Sequence, residues 1–255
     1  MSRFAIVWED ETRRTSLSKY ISRHFTCRGR DPARDIIAAV TRGVAARDTE
    51  RNIFNAIINV LYRARATIRT KDTRGDERVQ QIVGMLPTDA PPVYVDFGCG
   101  DASITDAVAA AVGAQTVYGV DIMPVDPSAH INYCKTLGEV DNPCNFMTAM
   151  MSLHHVDAPA IVTEIARVMP RGTLILREHD FDGSESLRAY LDLVHIFAEI
   201  LRDPEYDPAT YPHTDYLSRD ALDAMLRAAG FELVSVSTYG VYNPQAIYHA
   251  RYDRK

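Results

Sequence analysis

Residues 93–101 read VYVDFGCGD, an apolar run that ends in an acidic residue and continues into a Gly-x-Gly turn. The alanine-rich segment 102–112 follows and predicts a helix. Glycine at positions 98 and 100 allows the backbone to turn tightly and to approach a ligand where a side chain would clash. We therefore expect a strand, a turn and a helix that together bind a nucleotide-type ligand.

The residues around the two glycines distinguish two kinds of ligand. The dinucleotide-binding fingerprint G-x-G-x-x-G has a third glycine and places a pyrophosphate at the helix N-terminus. Here Ser103 occupies the third glycine position, and the carboxylate of Asp96 would repel a pyrophosphate. That carboxylate suits a ligand that carries positive ammonium and sulfonium groups.

The composition is that of an ordinary soluble globular protein. The chain has 255 residues, 46% hydrophobic and 24% charged, enough for a full core in one large domain or one domain with an appendage. No apolar run reaches membrane-spanning length, and the first ten residues lack a secretory signal, so we expect an intracellular, cytoplasmic protein without a membrane partner. Four cysteines without a C-x-x-C pair argue against a disulfide framework or a zinc site.

Charge is spread unevenly along the chain. Residues 1–80 hold 17 Lys and Arg against 10 Asp and Glu, whereas residues 81–255 hold 11 against 24. A basic segment of this kind is typical of proteins with an anionic partner. The alternative is a solvated helix surface, because arginines alternate with acidic residues throughout the segment.

The spacing of apolar residues divides the chain into two parts. Residues 1–85 show helical spacing, which predicts a helical, basic N-terminal region. In residues 86–255 strands alternate with helices, which predicts an α/β fold with a doubly wound, mainly parallel, Rossmann-like sheet of seven strands. The short connection 238–244 permits a hairpin, so the last strand should run antiparallel. The expected strands cover residues 93–95, 116–120, 130–134, 145–151, 173–176, 231–237 and 245–252.

Asp121 is a second candidate ligand-binding residue. It ends the second predicted strand, 21 residues after Gly100. The carboxyl ends of neighbouring parallel strands meet at one edge of the sheet, and an acidic residue there can accept hydrogen bonds from both hydroxyls of an adenosine ribose. The alternative is that Asp121 serves as a helix N-cap or a turn residue.

These motifs, in this order, resemble the class I S-adenosylmethionine-dependent methyltransferases. VDFGCG at 95–100 and GVD at 119–121 are similar to the first two motifs of that superfamily. FMTAMMSLHHV at 146–156 is similar to its fourth-strand motif, of the S-L-H-H type.

Further segments extend the resemblance to about residues 90–255. Residues 164–176 and 228–231 resemble the superfamily's elements before strands five and six. LILREHD at 174–180 also resembles methyltransferase domains encoded by viruses. Residues 1–85 match no family motif.

The resemblance implies methyl transfer as the activity and S-adenosylmethionine as the cofactor. Gly98 and Gly100 would pass beneath the methionine part of the cofactor, and Asp96 would reach its amino group directly or through water. Asp121 would bind the ribose, and Ile122 would pack on the adenine. The other implied cofactor-binding residues are Phe97 and, as the floor near the methyl group, Met150, Met151 and Ser152.

The same resemblance places a polar cluster at the carboxyl edge of the sheet, beside the cofactor. We predict that its members are catalytic residues of the acceptor side, with His179 and Glu178 as the preferred pair. The alternatives are structural hydrogen bonding and a metal site, which three histidines with carboxylates could form, although we predict no metal. The four predicted catalytic residues are His154, His155, Glu178 and His179.

The acceptor is less constrained than the cofactor. The K-D-K-E tetrad of ribose 2′-O-methyltransferases and the [DN]-P-P-[YF] motif of N6-adenine enzymes are absent. The basic N-terminal region makes RNA, especially its mRNA cap, the first expected acceptor, bound by Arg63, Arg65 and Arg69. The alternatives are a small-molecule acceptor and a non-catalytic cofactor- or RNA-binding subunit with the same fold.

A tyrosine-rich loop, residues 207–216, lies between two predicted helices. Long loops in such positions commonly carry function. Tyr211 and Tyr216 are predicted to bind substrate, by stacking on a base or by capping the pocket. The alternative is an ordered surface loop that its tyrosines anchor.

Overall fold

The structure, a computed structural model, describes residues 1–25, 31–64, 75–86, 93–123, 130–203, 205–212, 214–238 and 243–255. Nine α-helices lie in these ranges: α1 Arg3–Glu9, α2 Glu11–His24, α3 Pro32–Ala45, α4 Glu50–Ala64, α5 Gly75–Gly84, α6 Ser103–Val112, α7 Ala158–Val168, α8 Glu185–Arg202 and α9 Arg219–Ala228. Seven strands lie in the same ranges: β1 Val93–Phe97, β2 Thr116–Val120, β3 Asn132–Cys134, β4 Phe146–Met150, β5 Gly172–His179, β6 Glu232–Thr238 and β7 Ile247–Arg254.

The seven strands form one sheet in the order β3-β2-β1-β4-β5-β7-β6. β1 pairs in parallel with β2 and β4, β2 with β3, and β4 with β5. β7 lies between β5 and β6 and runs antiparallel to both. The predicted fold class is therefore confirmed: a doubly wound, Rossmann-like seven-stranded sheet with an antiparallel last strand, and a helical N-terminal region.

Strand order reverses between β1 and β4. From β1 the chain runs outward through β2 and β3, and it then returns to the other side of β1 to form β4 and β5. In open α/β sheets ligands bind at the carboxyl ends of the strands where the order reverses. The expected site therefore lies where β1, β2 and β4 end.

Apolar side chains cover both faces of the sheet, because successive strand residues point to opposite faces. Tyr94 and Phe146 stack on one face with 4.7 Å between ring centroids, in a buried cluster that also includes side chains of α5 and α6. Val95 and Met147 lie on the other face, in a buried cluster with side chains of α7 and α9. This double coverage explains why the parallel strands read as continuous apolar runs.

The described residues form two compact units. The first comprises Met1–Asp72 and Phe181–Thr214, and the second comprises Thr73–Asp180 and Asp215–Lys255. This differs from the division near residue 85 that the sequence suggested, because α5 belongs to the second unit and α8 to the first. α5 packs on α6, whereas α8 packs on α1 and α2.

An aromatic cluster explains why α8 belongs with the N-terminal helices. The ring of Phe197 in α8 lies 6.4 Å, between centroids, from both Phe4 of α1 and Phe54 of α4. The hydroxyl of Ser186 donates to the carboxylate of Asp10 at 2.7 Å. A helix from late in the chain thus completes the core of the first unit.

Within the described ranges, no helix has the length and apolar character needed to span a membrane.

Gly172 provides a test of how β5 joins the sheet. It has a φ of +136°, and a Cβ at this position would lie 2.1 Å from the backbone oxygen of Asn145. That oxygen accepts the N–H of Thr173 at 2.9 Å, so it cannot move away without loss of a ladder bond. We predict that Gly172→Ala lowers the free energy of unfolding by roughly 3 kcal/mol or more, as measured by chemical denaturation.

Gly84→Ala is the matched control for this substitution. Gly84 is an exposed residue of α5, and beyond its chain neighbours and its own helix backbone no described atom lies within 4 Å of the added Cβ. In a helix, alanine is more favourable than glycine by about 1 kcal/mol or less, so this variant should be as stable as the wild type or more stable. Equal losses in the two variants would contradict the steric explanation.

Candidate functional site

The loop after β1 depends on a glycine at position 98. Gly98 has a φ of +76°, and a Cβ there would lie 2.5 Å from the Cβ of Ser152, which follows β4. The N–H of Gly98 donates to the carbonyl of Val120 in β2 at 2.7 Å. The loop is therefore packed against the ends of both strands that flank β1.

Non-glycine residues at this edge also have left-handed backbone. Ala102 precedes α6 with a φ of +58°, and Met151 follows β4 with a φ of +60°. Such conformations cost about 1–3 kcal/mol each, persist where the surroundings fix them, and cluster at functional sites. The N–H of Met151 donates to the carbonyl of Arg177 at 2.7 Å, which is one contact that fixes it.

Asp121 joins the end of β2 to the glycine loop. Its Oδ2 accepts the N–H of Gly100 at 2.8 Å, and its Oδ1 accepts the N–H of Met123 at 2.9 Å. Each carboxylate oxygen can accept a further hydrogen bond, so Asp121 retains capacity for two hydroxyl donors. The next two residues, Ile122 and Met123, are large apolar side chains that are 84% and 55% exposed.

Asp96 lies deeper than the sequence suggested. Its side chain is buried, with 3% of the residue exposed, and its two oxygens accept the hydroxyls of Thr105 and Thr148 at 2.6 Å each. Burial raises the pKa of Asp96 to about 6, although the two hydroxyls act in the opposite direction. This geometry favours a role within the protein over direct contact with a cofactor amino group.

The other predicted cofactor residues divide between the core and the loop. The side chain of Phe97 is buried in the apolar cluster on the α7 and α9 face, so it does not point towards the loop. Ser152 lies against Gly98, and its buried hydroxyl has no hydrogen-bond partner among the described residues. Met150 ends β4 and is partly exposed at the carboxyl edge.

The predicted catalytic residues lie close together, and Glu178 forms hydrogen bonds with the residues that follow β4. Oε2 of Glu178 lies 2.6 Å from Nδ1 of His154, and Oε1 accepts the N–H of Leu153 at 2.7 Å. Glu178 is therefore engaged with His154 and the turn after β4. The preference for Glu178 and His179 as the acceptor-side pair stays a prediction.

Electrostatics identify Glu178 as an ionised acceptor. Burial acts to raise its pKa, but the imidazoles of His154 and His179 and the N–H of Leu153 lower it below the ordinary value overall. Because an ionised carboxylate only accepts hydrogen bonds, Nδ1 of His154 must carry the proton between them. Glu178 thus fixes both the tautomer and the position of His154.

His179 is a neutral imidazole at pH 7. Burial lowers its pKa to about 4, and the neighbouring His154 acts in the same direction. Nδ1 of His179 donates to the carbonyl of Gln245 at 2.7 Å. Its ring lies 5.2 Å from that of His154 and 5.7 Å from that of Tyr216.

Tyr216 and His155 complete this imidazole cluster, which we define as His154, His155, Glu178, His179 and Tyr216. The ring of Tyr216 stacks on the ring of His154, with 5.6 Å between centroids. The ring of His155 lies 4.1 Å from the ring of His154. His155 is the exposed histidine of the cluster, whereas Tyr216 is buried. Tyr216 therefore lies among the predicted catalytic residues.

The remaining predicted substrate-binding residues lie elsewhere. Tyr211 belongs to the first unit, where its hydroxyl lies 3.1 Å from Nδ1 of His195 and 2.9 Å from the hydroxyl of Thr214. Arg63 is exposed at the end of α4. Arg65 and Arg69 lie outside the described residues.

Sequence reasoning missed the hydroxyl partners of Asp96. Thr148 is the polar residue of the buried strand FMTAM, and Thr105 lies in the first turn of α6. A threonine in an otherwise apolar buried strand is a signal that could have identified Thr148, because buried polar groups require partners. The Gly98–Ser152 contact had no comparable signal in the sequence.

Sequence comparison assigns the chain to a family. The family described as a methyltransferase domain matches residues 70–236, more than half of the chain, and the chain belongs to this family. Curated protein sequences gave no match.

Solved structures share the fold. The N-methyltransferase NodS from Bradyrhizobium japonicum WM9, solved with S-adenosyl-L-homocysteine, has a TM-score of 0.51 and 11% identity over 72% of this chain and 89% of that chain. An S-adenosylmethionine-dependent methyltransferase from Mesorhizobium loti has a TM-score of 0.51 and 16% identity over 71% of this chain and 100% of that chain. An O-methyltransferase family protein from Burkholderia thailandensis has a TM-score of 0.53 and 14% identity over 80% of this chain and 60% of that chain.

The contact between Gly98 and Ser152 leads to a testable difference between two glycines. Gly98→Ala should destabilise the loop and weaken cofactor binding at least about tenfold, because the added Cβ meets Ser152 at 2.5 Å. Gly113→Ala is the control, since Gly113 has a similar φ of +67° but, its chain neighbours aside, no described atom lies within 4 Å of the added Cβ. Isothermal titration calorimetry measures both, and equal affinities in the two variants would contradict the steric requirement.

The position of Glu178 predicts a loss of stability on neutralisation. Glu178→Gln would turn an amide N–H2 towards a buried donor, either Nδ1–H of His154 or the N–H of Leu153, at a cost of roughly 2–4 kcal/mol. The folded-state pKa of Glu178 is lowered, so its contribution to stability is present above its ordinary value of 4.5 and lost as the pH falls further. The difference in unfolding free energy between wild type and variant should therefore narrow below about pH 4.

Glu164→Gln is the control for charge removal. Glu164 pairs with Arg167 at 2.9 Å on the exposed surface of α7, where ion pairs contribute less than about 1 kcal/mol. Denaturant titrations at several pH values should leave this variant close to the wild type. A Glu178→Gln variant that is equally close would exclude the assigned role of Glu178.

Proposed function

We propose that the protein is an S-adenosylmethionine-dependent methyltransferase that uses the imidazole cluster on its acceptor side. The observation that carries the proposal is the hydrogen bond from the N–H of Gly100 to the carboxylate of Asp121, at the edge where strand order reverses. It brings the glycine loop and the acidic end of β2 to one place, as the binding of a ribose next to a backbone turn requires. The family match and the ligand of the NodS structure support the same cofactor.

The residues present fit S-adenosylmethionine. Asp121 retains acceptor capacity for the ribose hydroxyls, and the exposed Ile122 offers an apolar surface for the adenine. The absence of a side chain at Gly98 lets the loop lie directly on Ser152, whose hydroxyl has no hydrogen-bond partner in the described part of the chain and is a further polar group at this edge. The cofactor supplies a methyl group on an activated sulfonium.

The cluster's task is to align the acceptor and exclude water. Because the methyl group is already activated, alignment and desolvation can supply most of the catalysis. His155 is the exposed histidine of the cluster, so we assign contact with the acceptor to this residue first. The hydrogen bonds of Glu178 to His154 and to Leu153 hold the turn that contains His155. The neutral ring of His179 packs against the ring of His154.

A small molecule is the acceptor class that the contacts support best. Tyr216, predicted to bind substrate by stacking on a base or by capping the pocket, is buried and stacked on His154, which leaves its ring less accessible to a base. In the first unit, Arg3 is engaged with Glu50 at 2.5 Å and Arg13 lies 3.9 Å from Asp10, so part of the basic charge is neutralised within the unit. These contacts leave the alternative of a solvated helix surface as the simpler explanation of the charge.

RNA, including capped RNA, is the second candidate. The excess of Lys and Arg in residues 1–80 favours it, and Arg63 is exposed at the end of α4. Phosphate contacts would make binding fall steeply with salt concentration, whereas small-molecule binding would change little. Salt dependence therefore separates the two classes.

Calorimetry with S-adenosylmethionine tests the cofactor assignment. The wild type should bind, and Asp121→Ala should bind at least about tenfold more weakly, because it loses the ribose acceptor and the bond to the loop. Asp220→Ala, which removes an exposed carboxylate of α9, should bind like the wild type. A wild-type protein that binds no S-adenosylmethionine would exclude the methyltransferase assignment.

A methyl-transfer screen tests the acceptor class. Tritiated S-adenosylmethionine would be incubated with the protein and either a metabolite extract, capped RNA or uncapped RNA, at low and high salt. Label in the metabolite fraction at both salt concentrations supports a small molecule, and label in RNA at low salt supports RNA. Cofactor binding without transfer to any fraction would favour the non-catalytic subunit.

A further inference from the structure

A buried cluster of hydroxyls surrounds Asp96 beneath the glycine loop. Thr148 of β4 is the direct register partner of Asp96 in β1 and donates to its Oδ1 at 2.6 Å. Thr105, in the first turn of α6, donates to its Oδ2 at 2.6 Å. The hydroxyl of Tyr94 lies 2.8 Å from the hydroxyl oxygen of Thr148. We call these four residues the Asp96 cluster.

When Asp96 is ionised, the hydrogen bonds of the Asp96 cluster have only one possible assignment of donors and acceptors. A carboxylate only accepts, so the single hydroxyl proton of Thr148 must go to Asp96. The bond between Thr148 and Tyr94 must then be donated by Tyr94. Each hydroxyl proton in the cluster thus has one acceptor, and the cluster is satisfied without a ligand.

We infer that Tyr94, Thr105 and Thr148 are positioning residues of the cofactor site, and that Asp96 acts on the site through α6 and the glycine loop. This role concerns the same cofactor site and so depends on the proposed function. Asp96 is 3% exposed, and each of its oxygens already accepts a threonine hydroxyl, so a cofactor amino group would have to enter this buried cluster to contact it. Thr105 links Asp96 directly to the first turn of α6.

The loop between β1 and α6 is short, so the hydrogen bond from Thr105 to Asp96 restricts the conformation of the loop. β1 ends at Phe97 and α6 begins at Ser103, so the chain between them has little freedom once both ends are fixed. The bond from Thr105 to Asp96 fixes the first turn of α6 against β1, and the bond from Thr148 fixes Asp96 against β4. Loss of either hydroxyl should therefore change the geometry of Gly98 and Gly100.

The surroundings of Asp96 make the cluster sensitive to pH. Burial raises the pKa of Asp96 to about 6, and the carboxylate of Asp121 adds to the rise. Tyr94 and Cys99, the other titratable groups beside it, have pKa values raised by burial and by Asp96, so they stay neutral. The carboxylate is therefore ionised at pH 8 and largely protonated at pH 5.

The sign of the pH effect follows from this rise. A raised folded-state pKa means that protonated Asp96 favours the folded state, a contribution fully present below about pH 3.8 and lost as the pH rises through about 6. The two hydroxyls offset part of that loss because they donate to the ionised form. Removal of a hydroxyl should therefore destabilise the protein more at pH 8 than at pH 5.

The first test compares two ligands in threonine-to-valine variants. Thr148→Val and Thr105→Val should each weaken S-adenosylmethionine and 5′-methylthioadenosine by the same factor, about tenfold. 5′-Methylthioadenosine lacks the amino acid part, so a positioning role affects both ligands. Thr173→Val is the control: Thr173 is a buried strand threonine that donates to Asp253 at 2.8 Å, outside the Asp96 cluster.

Two outcomes of this test would overturn the inference. Unchanged affinities in both variants would show that the hydroxyls do not position the site. A loss for S-adenosylmethionine without a loss for 5′-methylthioadenosine would show that Asp96 contacts the amino acid part. A wild-type protein that binds neither ligand would instead be a failure of the proposed function, and the role in cofactor binding would fail with it.

The second test needs no ligand. The unfolding equilibrium constant of Thr148→Val, relative to the wild type, should be about fivefold larger at pH 8 than at pH 5, because a bond to a carboxylate is stronger than one to its protonated form. Burial acts to raise the pKa of Asp253, but Arg251 and Thr173 lower it overall, so Asp253 is ionised at both pH values and Thr173→Val should show no such change. A pH-independent effect in Thr148→Val would contradict the assigned bond direction.

Tyr94→Phe covers the case in which Thr148→Val does not fold. It removes one hydroxyl and keeps the stack on Phe146. Without Tyr94 as donor, Thr148 keeps its bond to Asp96 but loses its own donor, so both ligands should weaken equally, by a smaller factor of about threefold. Wild-type affinities in Tyr94→Phe would remove Tyr94 from the set of positioning residues.

Discussion

At the carboxyl edge of the sheet, β1 lies between β2 and β4, and strand order reverses on one side of it. The loop that leaves β1 must therefore share this edge with the ends of two neighbouring strands. Asp121 contacts the loop from β2, and Ser152 contacts it from the end of β4. The site exists because three chain segments meet at this reversal.

Two buried carboxylates at this edge perform similar structural work. Asp96 holds the first turn of α6 through hydroxyl donors, and Glu178 holds the turn after β4 through a backbone N–H and an imidazole. Asp96 was predicted to bind the cofactor and Glu178 to be catalytic, and both carboxylates accept hydrogen bonds from donors within the protein. Asp121 is partly exposed, and Ile122 and His155 are exposed, so these three residues are more accessible to ligands than the two buried carboxylates.

Much of the fold could be predicted because periodicity and turn residues are local signals. The strand pattern specified seven strands, and the short connection after β6 specified an antiparallel β7. The proximity of Asp121 to Gly100 followed from parallel strands alone. The pairing of Glu178 could not be predicted so easily, because it depends on which face of β5 each side chain occupies at the turn after β4.

The sequence also did not predict to which unit α8 belongs. Its apolar pattern predicts a buried face but does not say which partner buries it, and here the partners are α1 and α2. The hydrogen bonds from the two threonines to Asp96 were not predicted for a different reason. A hydroxyl in a buried strand indicates that it has a hydrogen-bond partner, but the sequence does not identify that partner. Such features depend on contacts between residues far apart in the chain, whereas elements depend on residues close together.

The membership of α8 in the first unit has a consequence for how the chain folds as it is made. The chain enters the first unit, leaves it at residue 72 and returns at residue 181, and Asp10 meets Ser186 across 176 positions. Helices α1 to α4 emerge from the ribosome long before the helix that completes their core. Contacts of such high sequence separation are slow to form, so the faces of α1 and α2 that pack on α8 stay exposed while most of the sheet is synthesised.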